Sequence, residues 1–563
     1  MSPEDSSATR RDVLAIVLLP IALLLVNHQW IFSGPWRDPW IYYGHFRGLP
    51  EYMRVFTGTY FTSRLSVLLP GWIVYRLLSG LAANVVLHLL LFWLAALSFY
   101  GTALRIFGRR AALVSTLALA CHPFFLDSVG ENYVDGFGLA YVLGAFYFLT
   151  RAFGPDGRNR DLVIAGAFAM ACISANLFYV VFLPILALHV LFLRSPQGRR
   201  AVPEGTLFAA VGAAGAFLFF SLASKFLGGR YLYFLASTSY AVSLRNQTGL
   251  TIPPYAEWLP VATWLVLPAL AALAAAALLV RLSRRRDADP GGTLSYAQIG
   301  FLLFLAMLAL WGMNRRHEPL QVACYTSLLL PSLFFALAGQ LTPILKDLAS
   351  ERFRLVAWGT AVLLAVSVSL SYPTSPPPRA AWFTMLLALA AGLPAVLVVA
   401  MGRRGAAAAL LLAFSLATSQ ALSHRPVGND WWSNGCRVDR LAMFREVEEI
   451  VTAWRRVDAS GALHFWFDAR EPQGLLYDVV ASTSLWGMRL VSTRFPEIAG
   501  GRTHMGRPLD PGMKIAILSQ RVTALDEARA ALAPLGLGAR LLSEKRIDGP
   551  AGTFTMTFVE VTR

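Results

Sequence analysis

The sequence predicts an α-helical polytopic membrane protein with a separate α/β domain at its C-terminal end. Hydrophobic residues make up 56% of the 563 residues and charged residues only 15%, against about 25% charged in a soluble domain. Many apolar runs reach the ~18 residues that a bilayer crossing needs. Basic residues gather in the short loops between those runs, the pattern that orients a membrane protein. The net charge of +16 therefore points to topology and not to a nucleic-acid partner.

Taken in order, the apolar runs fall at 13–32, 83–104, 111–127, 136–150, 162–176, 178–193, 205–224, 259–280, 298–313, 319–340, 355–371, 380–401 and 405–422, about thirteen transmembrane helices. The first is a retained span. Met1–Arg11 is polar, and Val13–Val26 leads into Asn27, His28, Gln29 and Trp30 without a small-residue cleavage site. The stretch 162–193 is too long for one crossing, since a single helix would run ~48 Å against a hydrocarbon core of ~30 Å. Its flanks, Arg158/Arg160 and Arg194/Arg199/Arg200, are both basic, which predicts two short crossings turning near Asn176. Arg105, Arg109, Arg110, Arg151, Arg281, Arg284–Arg286, Lys346, Arg352, Arg354, Arg403 and Arg404 then fall on one side. That places the N-terminus in the cytoplasm and everything after about residue 423 outside.

Three outer segments carry cations against this bias. The first outer loop, 33–82, holds Arg37, Arg47, Arg54, Arg64 and Arg76. Within it, Leu65–Leu78 is apolar between Arg64 and Arg76 and predicts an amphipathic helix lying in the interface. The tight loop Asn314–Pro319 holds Arg315 and Arg316, and the loop 225–258 holds Lys225, Arg230 and Arg245 among aromatics. An anionic ligand is one reason for outer-side arginines; lipid headgroups or nearby carboxylates are another.

The tail 424–563 is predicted to be a soluble α/β layer domain on the outer face. Arg440–Arg456 and Thr523–Leu535 have helical periodicity, while Ala462–Phe467, Lys514–Leu518 and Phe554–Val561 read as strands. It carries no nucleotide-binding loop and no catalytic Ser or Cys signature. Trp431, Trp432, Trp466 and Trp486 are candidates for sugar stacking or for the core. Cys121, Cys172, Cys324 and Cys436 have no metal-site spacing.

The chemistry concentrates on two outer loops. In Ser33–His45, Trp36, Trp40, Tyr42 and Tyr43 form the aromatic belt of a membrane boundary, and Asp38 sits among them between Pro35 and Pro39. The second loop carries Asp127, Glu131 and Asp135 with Tyr133 and no basic residue. Paired carboxylates can divide a reaction, one deprotonating an acceptor and the other positioning a hydroxyl or a cation. Capping of helix ends is the structural alternative for Asp127 and Asp135.

Taken together, these features resemble the GT-C superfamily of membrane glycosyltransferases, in the branch of the protein O-mannosyltransferases and the lipid A aminoarabinose transferases. The resemblance rests on Asp38 soon after the first span and on the juxtamembrane run Tyr60–Trp72 with Arg64. It rests also on His122-Pro123 and Tyr133-Val134-Asp135 around the second outer loop, and on Arg315-Arg316 followed by Tyr325 and Pro331. It implies a GT-C-type fold and transfer of a sugar, usually with inversion, from a polyprenyl-phosphate carrier to a cell-envelope glycan, lipid or protein on the outer face of the cytoplasmic membrane. Carried over, Asp38 is the general base, Asp135 with Glu131 the second acidic group, and Arg64, Arg315 and Arg316 the ligands of the donor phosphate. Tyr42, Tyr43, His45, Tyr133 and Arg230 are candidates for positioning substrate. A divalent metal is optional in the superfamily, and Glu131 and Asp135 are its candidate ligands here. Relatives often carry a lysine where this chain has Arg315, Arg316 and His317.

Two other activities fit the composition. A transporter or flippase of a lipid-linked sugar would show repeat symmetry and polar residues deep in its spans, whereas most ionisable residues here lie on outer loops. An outer-face glycan polymerase or ligase would share the donor class.

Overall fold

The computed structural model describes residues 3–34, 37–55, 59–154, 157–192, 202–235, 238–239, 327, 330–346, 348–354, 357, 368, 439–457, 464–467, 495–496, 498, 508–519, 523–549 and 552–563. The predicted spans at 259–280, 298–313, 380–401 and 405–422, and Arg315 and Arg316, lie outside the described residues. The chain divides into two compact units: Met1–Ile31, Gly58–Val67 and Val85–Ser433 form the first, and Phe32–Thr57, Leu68–Asn84 and Asn434–Arg563 the second.

The described part of the first unit is helical; in the helix order of the chain, Arg37–Val55 and most of Leu65–Leu77 belong to the second. The described helices begin with α1 (Pro3–Val26), α2 (Arg37–Val55), α3 (Leu65–Leu77) and α4 (Gly80–Phe107). They continue with α5 (Arg109–Ala120), α6 (Pro123–Gly130), α7 (Val134–Ala152), α8 (Asn159–Ala175), α9 (Phe182–Phe192), α10 (Val202–Phe226) and α11 (Leu330–Lys346). Among the described residues, two helical stretches are long and apolar enough to cross a membrane, Gly80–Phe107 and Gly205–Phe226. The pair α5–α6 makes a third if its two halves count as one span.

The run expected as one span at 111–127 is in fact two helices bent by 67°. The cause is local. His122 is extended (φ −70, ψ 129) ahead of a proline at the first position of α6, as the residue before proline prefers. Its Nδ1 accepts the Phe124 N–H at 3.2 Å and so caps the new helix. The first helix also ends earlier than the expected 32, with a short 3₁₀ turn, His28–Ile31, following Val26. Near Asn176 the chain does break. Asn176 Oδ1 accepts from Phe178 N–H at 3.2 Å and opens a 3₁₀ turn, Leu177–Val181, ahead of α9.

Buried polar contacts join the loop ends expected on one side. Arg109 donates through Nε and Nη2 to both Asp12 oxygens at 2.7 and 2.8 Å, and the Tyr100 hydroxyl donates to Asp12 at 2.9 Å. Arg110 Nη1 donates to the Leu345 carbonyl at 2.8 Å, at the C-terminal end of α11. That is the end of a helix where a cation is favoured. Arg151 grips Asp161 in the same bidentate way, closing the α7–α8 corner.

The second unit contains α2, most of α3, and the helix α12 (Arg440–Val457). It also holds a four-stranded mixed sheet in the order β1 (His464–Phe467), β2 (Lys514–Ser519), β4 (Gly552–Thr562), β3 (Gly538–Gly549). β1 runs parallel to β2, and the other pairs are antiparallel. The helix α13 (Ala524–Leu532) buries Ala528 and Leu532 in a core with Trp466, Ile515, Ile517, Val559 and Val561. Trp466 is therefore a core residue, edge-on to Phe495 at 4.8 Å, and not a stacking surface for sugar. Trp431, Trp432 and Trp486 lie outside the described residues. The described part of the tail carries helices beside this sheet, with β3 as the strand that sequence patterning missed.

Candidate active site

Asp38 lies in the first turn of α2, where the unpaired N–H groups of a helix start favour a carboxylate. It is half-buried. Trp40 Nε1 donates to the Gly34 carbonyl at 3.0 Å, which pins the turn that leads into the helix. α2 breaks at Gly48 (φ −143, ψ 43), two residues ahead of Pro50. The proline ring clashes with the carbonyl four residues back and supplies no N–H. The helical segment around Asp38 is thus Arg37–Arg47.

The aromatic belt of this helix is turned inward. Trp40, Tyr42, Tyr43 and His45 are all buried. The Tyr43 hydroxyl donates to Glu448 of α12, and Arg47 Nη1 reaches both Glu448 and the Tyr43 hydroxyl, the latter at 2.9 Å. Burial pushes the Tyr43 hydroxyl pKa up, against the opposing pull of Arg47. His45 Nδ1 donates to the Ile41 carbonyl at 2.8 Å, and burial lowers its pKa to about 4, so the ring is neutral at pH 7. Its Nδ1 proton is therefore the one committed to the helix backbone.

Glu131, Tyr133 and Asp135 belong to the first unit, Glu131 and Tyr133 on the short connection between α6 and α7 and Asp135 at the start of α7. Asp127, expected in a loop, is instead in α6, while Asp135 is fully buried in the first turn of α7. Two close backbone approaches shape the connection. A Cβ at Gly130 would strike the Trp30 carbonyl, and one at Gly136 would strike the Ser128 carbonyl. The glycines flanking the acids are thus required by space.

Two side chains invisible to motif reasoning hold this connection. His88 of α4 donates from Nδ1 to the Val129 carbonyl at 2.7 Å, and its Nε2 lies 3.1 Å from the Asn132 side-chain amide. Tyr179, in the turn after α8, donates its hydroxyl to Asp135.

Arg64 ends the 3₁₀ turn Phe61–Ser63 ahead of α3. It is 1% exposed, and its guanidinium carbon stacks 3.8 Å above the Tyr60 ring. The Tyr141 hydroxyl donates to the Ser66 carbonyl at 2.6 Å and ties α7 to the start of α3 within the first unit. Arg230 is exposed, and its carbonyl accepts from Ser224 Oγ at 2.7 Å. Among the described residues no three His, Cys, Asp or Glu side chains converge as metal ligands would.

Of the residues singled out from sequence, the second unit therefore gathers Asp38, Tyr42, Tyr43 and His45 on one helix. The first gathers Glu131, Tyr133, Asp135 and Arg64. Glu448, His88 and Tyr179 were missed. They carry no local motif, and Glu448 stands 405 residues from its tyrosine.

Residues 69–224 match the profile of the dolichyl-phosphate-mannose-protein mannosyltransferase family. The whole chain superposes on ArnT from Cupriavidus metallidurans, solved bound to undecaprenyl phosphate, with a TM-score of 0.53 at 14% identity, covering 96% of this chain and 97% of that one. The apo form of the same enzyme gives 0.50 at 15% identity, covering 98% of each chain. The fold is that of ArnT. No curated protein sequence matches the chain. The segment matching the mannosyltransferase profile contains Glu131, Tyr133 and Asp135 with their supports His88 and Tyr179; Asp38 and Arg64 precede it.

Proposed function

We propose that this GT-C-fold protein is a glycosyltransferase that moves a sugar from a polyprenyl-phosphate donor to a cell-envelope acceptor on the outer face of the cytoplasmic membrane. The observation that carries this is near-complete coverage of the ArnT fold, since ArnT is seen bound to undecaprenyl phosphate. The mannosyltransferase profile over 69–224 supports the same reaction class.

The transfer is an inverting displacement. The acceptor hydroxyl oxygen attacks the anomeric carbon and loses its proton to Asp38. The bond from that carbon to the phosphate oxygen breaks, and polyprenyl phosphate leaves with the electron pair. Arg64, with Arg315 and Arg316, binds that phosphate; guanidinium groups match its oxygens bidentately and stabilise the charge that grows on it. Asp135 and Glu131, on a connection stiffened by His88, Tyr179 and two glycine contacts, position the sugar hydroxyls. Tyr42, Tyr133 and Arg230 take part in positioning substrate. A divalent cation held by Glu131 and Asp135 would have no third His, Cys, Asp or Glu ligand among the described residues.

About thirteen spans place the N-terminus in the cytoplasm and residues 424–563 outside. The joining of Asp12 to Arg109 and of Arg110 to the end of α11 supports one shared side for those loops. The C-terminal α/β domain serves acceptor recognition.

The test uses the full-length protein in lipid nanodiscs, with undecaprenyl-phosphate mannose and undecaprenyl-phosphate aminoarabinose as donors and envelope extract as acceptor. Release of undecaprenyl phosphate with a product of opposite anomeric configuration is expected for one of them. If neither donor is turned over and undecaprenyl phosphate itself does not bind, the assignment is wrong.

A further inference from the structure

One contact in the second unit that the chemistry above leaves unused is made by Glu448. Its carboxylate accepts from Tyr43 and Arg47, one and a half to two and a half turns along α2 from Asp38. The same carboxylate fills the space a side chain at Gly80 would occupy, at the start of α4. There the helix N-terminus favours a negative charge. Three elements distant in sequence are thus held by one acid.

The rest of α12 is shaped for the same seat. Arg440, Phe444 and Glu448 follow at i, i+4 and i+8, so they share one face of the helix. Arg440 donates to the Phe32 carbonyl at 3.2 Å. Phe444 packs against Phe32 at 5.5 Å, Trp40 at 6.3 Å and Tyr43 at 5.5 Å. Tyr75 of α3 closes the other side, edge-on to Tyr43 at 5.8 Å, with its hydroxyl donating to Asn84 Oδ1 at 3.2 Å. The contacts with α2 itself, at Trp40, Tyr43 and Arg47, fall on Arg37–Arg47, the portion before the break at Gly48.

We propose that Glu448 is a positioning residue for sugar transfer: by clamping Tyr43 and Arg47 it fixes the helix that presents Asp38. This rests on the glycosyltransferase assignment above. It gives the C-terminal domain a second task, that of setting the catalytic helix through α12. A general base has to be held within hydrogen-bond reach of its proton, and a displacement of ~1 Å can cost about 10²-fold in rate.

The test is Glu448→Gln in the full-length protein in nanodiscs, read in two ways. Hydrogen exchange of segment 37–47 should rise at least fivefold while segments of the first unit keep their protection. With the donor the parent turns over, kcat should fall ten- to a hundredfold while the donor KM and the affinity for undecaprenyl phosphate stay within twofold. The exchange R47E/E448R, which restores the pair in reverse, should recover most of the lost kcat. Faster exchange with unchanged kcat shows a purely structural clamp and overturns the proposal, and so does unchanged exchange. If Glu448→Gln does not fold, the charge exchange is read alone: kcat within threefold of the parent supports the clamp, and a tenfold loss in a folded protein overturns it. Asp38→Asn is run alongside. Full activity of that variant would defeat the glycosyltransferase mechanism, and the exchange arm would then still judge the clamp.

Discussion

The Tyr179 hydroxyl donates a hydrogen bond to the Asp135 carboxylate, which is fully buried at the start of α7. Gly138, one turn further on, leaves the space that the Tyr179 ring fills. Tyr179→Phe keeps the ring and removes the donor. A buried carboxylate that loses a hydrogen bond costs about 1–3 kcal/mol. The variant should therefore unfold at lower temperature and transfer sugar more slowly. Scanning calorimetry and the transfer assay check both. A Tm equal to that of the parent would show that the contact contributes nothing.

Asp12 is 4% exposed as a side chain and Arg109 is 35% exposed. Removing the acid strands a partly buried guanidinium and also takes an acceptor from Tyr100. Loss of one partner of a fully buried pair costs about 3–5 kcal/mol, and the exposure of Arg109 reduces this to about 2–3 kcal/mol. Asp12→Ala should show that loss in detergent-matched unfolding, with donor affinity unchanged. Arg109→Met should cost at least as much, because it leaves the more deeply buried Asp12 carboxylate with Tyr100 in place of a bidentate cation.

The second unit should lose stability towards alkaline pH through Glu446. Its side chain is 4% exposed, and burial, with Glu449 beside it, raises its pKa from 4.5 to about 8. The folded state therefore holds this proton more tightly than the unfolded chain. Its contribution is complete below about pH 4.5 and falls as pH rises towards about 8, where the charged form is reached. Glu446→Gln should flatten the pH dependence of unfolding across that window and stabilise the protein at pH 8. Identical slopes for the two proteins would place the titration elsewhere.

How far the fold was legible depended on whether its signal was local. Helix α12 and strands β1, β2 and β4 follow from periodicity. β3 was missed because Glu544, Lys545 and Arg546 interrupt its alternation. The bend at His122 was written in the sequence as His-Pro yet masked by the apolar run around it. The acids stood out as residue types between apolar runs, but their supports did not. His88 reads as one polar residue in a span, and Tyr179 as one aromatic among many. Only tertiary packing brings either to its partner.

Arg64 offers a test of phosphate binding apart from the acid chemistry. Its guanidinium is fixed over Tyr60 at 3.8 Å, so it needs little ordering before use. Arg64→Ala should weaken binding of undecaprenyl phosphate and slow transfer by about 10²-fold, the scale for losing one donor to a developing oxyanion. Arg64→Lys should fall between the two, because an ammonium lacks the planar fork and stacks less well. Equal binding by all three proteins would remove Arg64 from the donor site.

The most direct prediction concerns Asp38. Two independent contacts hold its surroundings: Trp40 to the Gly34 carbonyl before the helix, and Tyr43 and Arg47 to Glu448 along it. A carboxylate that only favoured the start of α2 could be replaced by asparagine at little cost, since asparagine serves helix starts about as well. A carboxylate that takes the acceptor proton could not, because the amide has no comparable basicity. Asp38→Asn should therefore lower kcat by about 10²-fold or more, with Tm and affinity for undecaprenyl phosphate unchanged. The split separates the two roles. A large fall in Tm with kcat preserved in the folded fraction would make Asp38 a helix-start residue and move the general base to another acid.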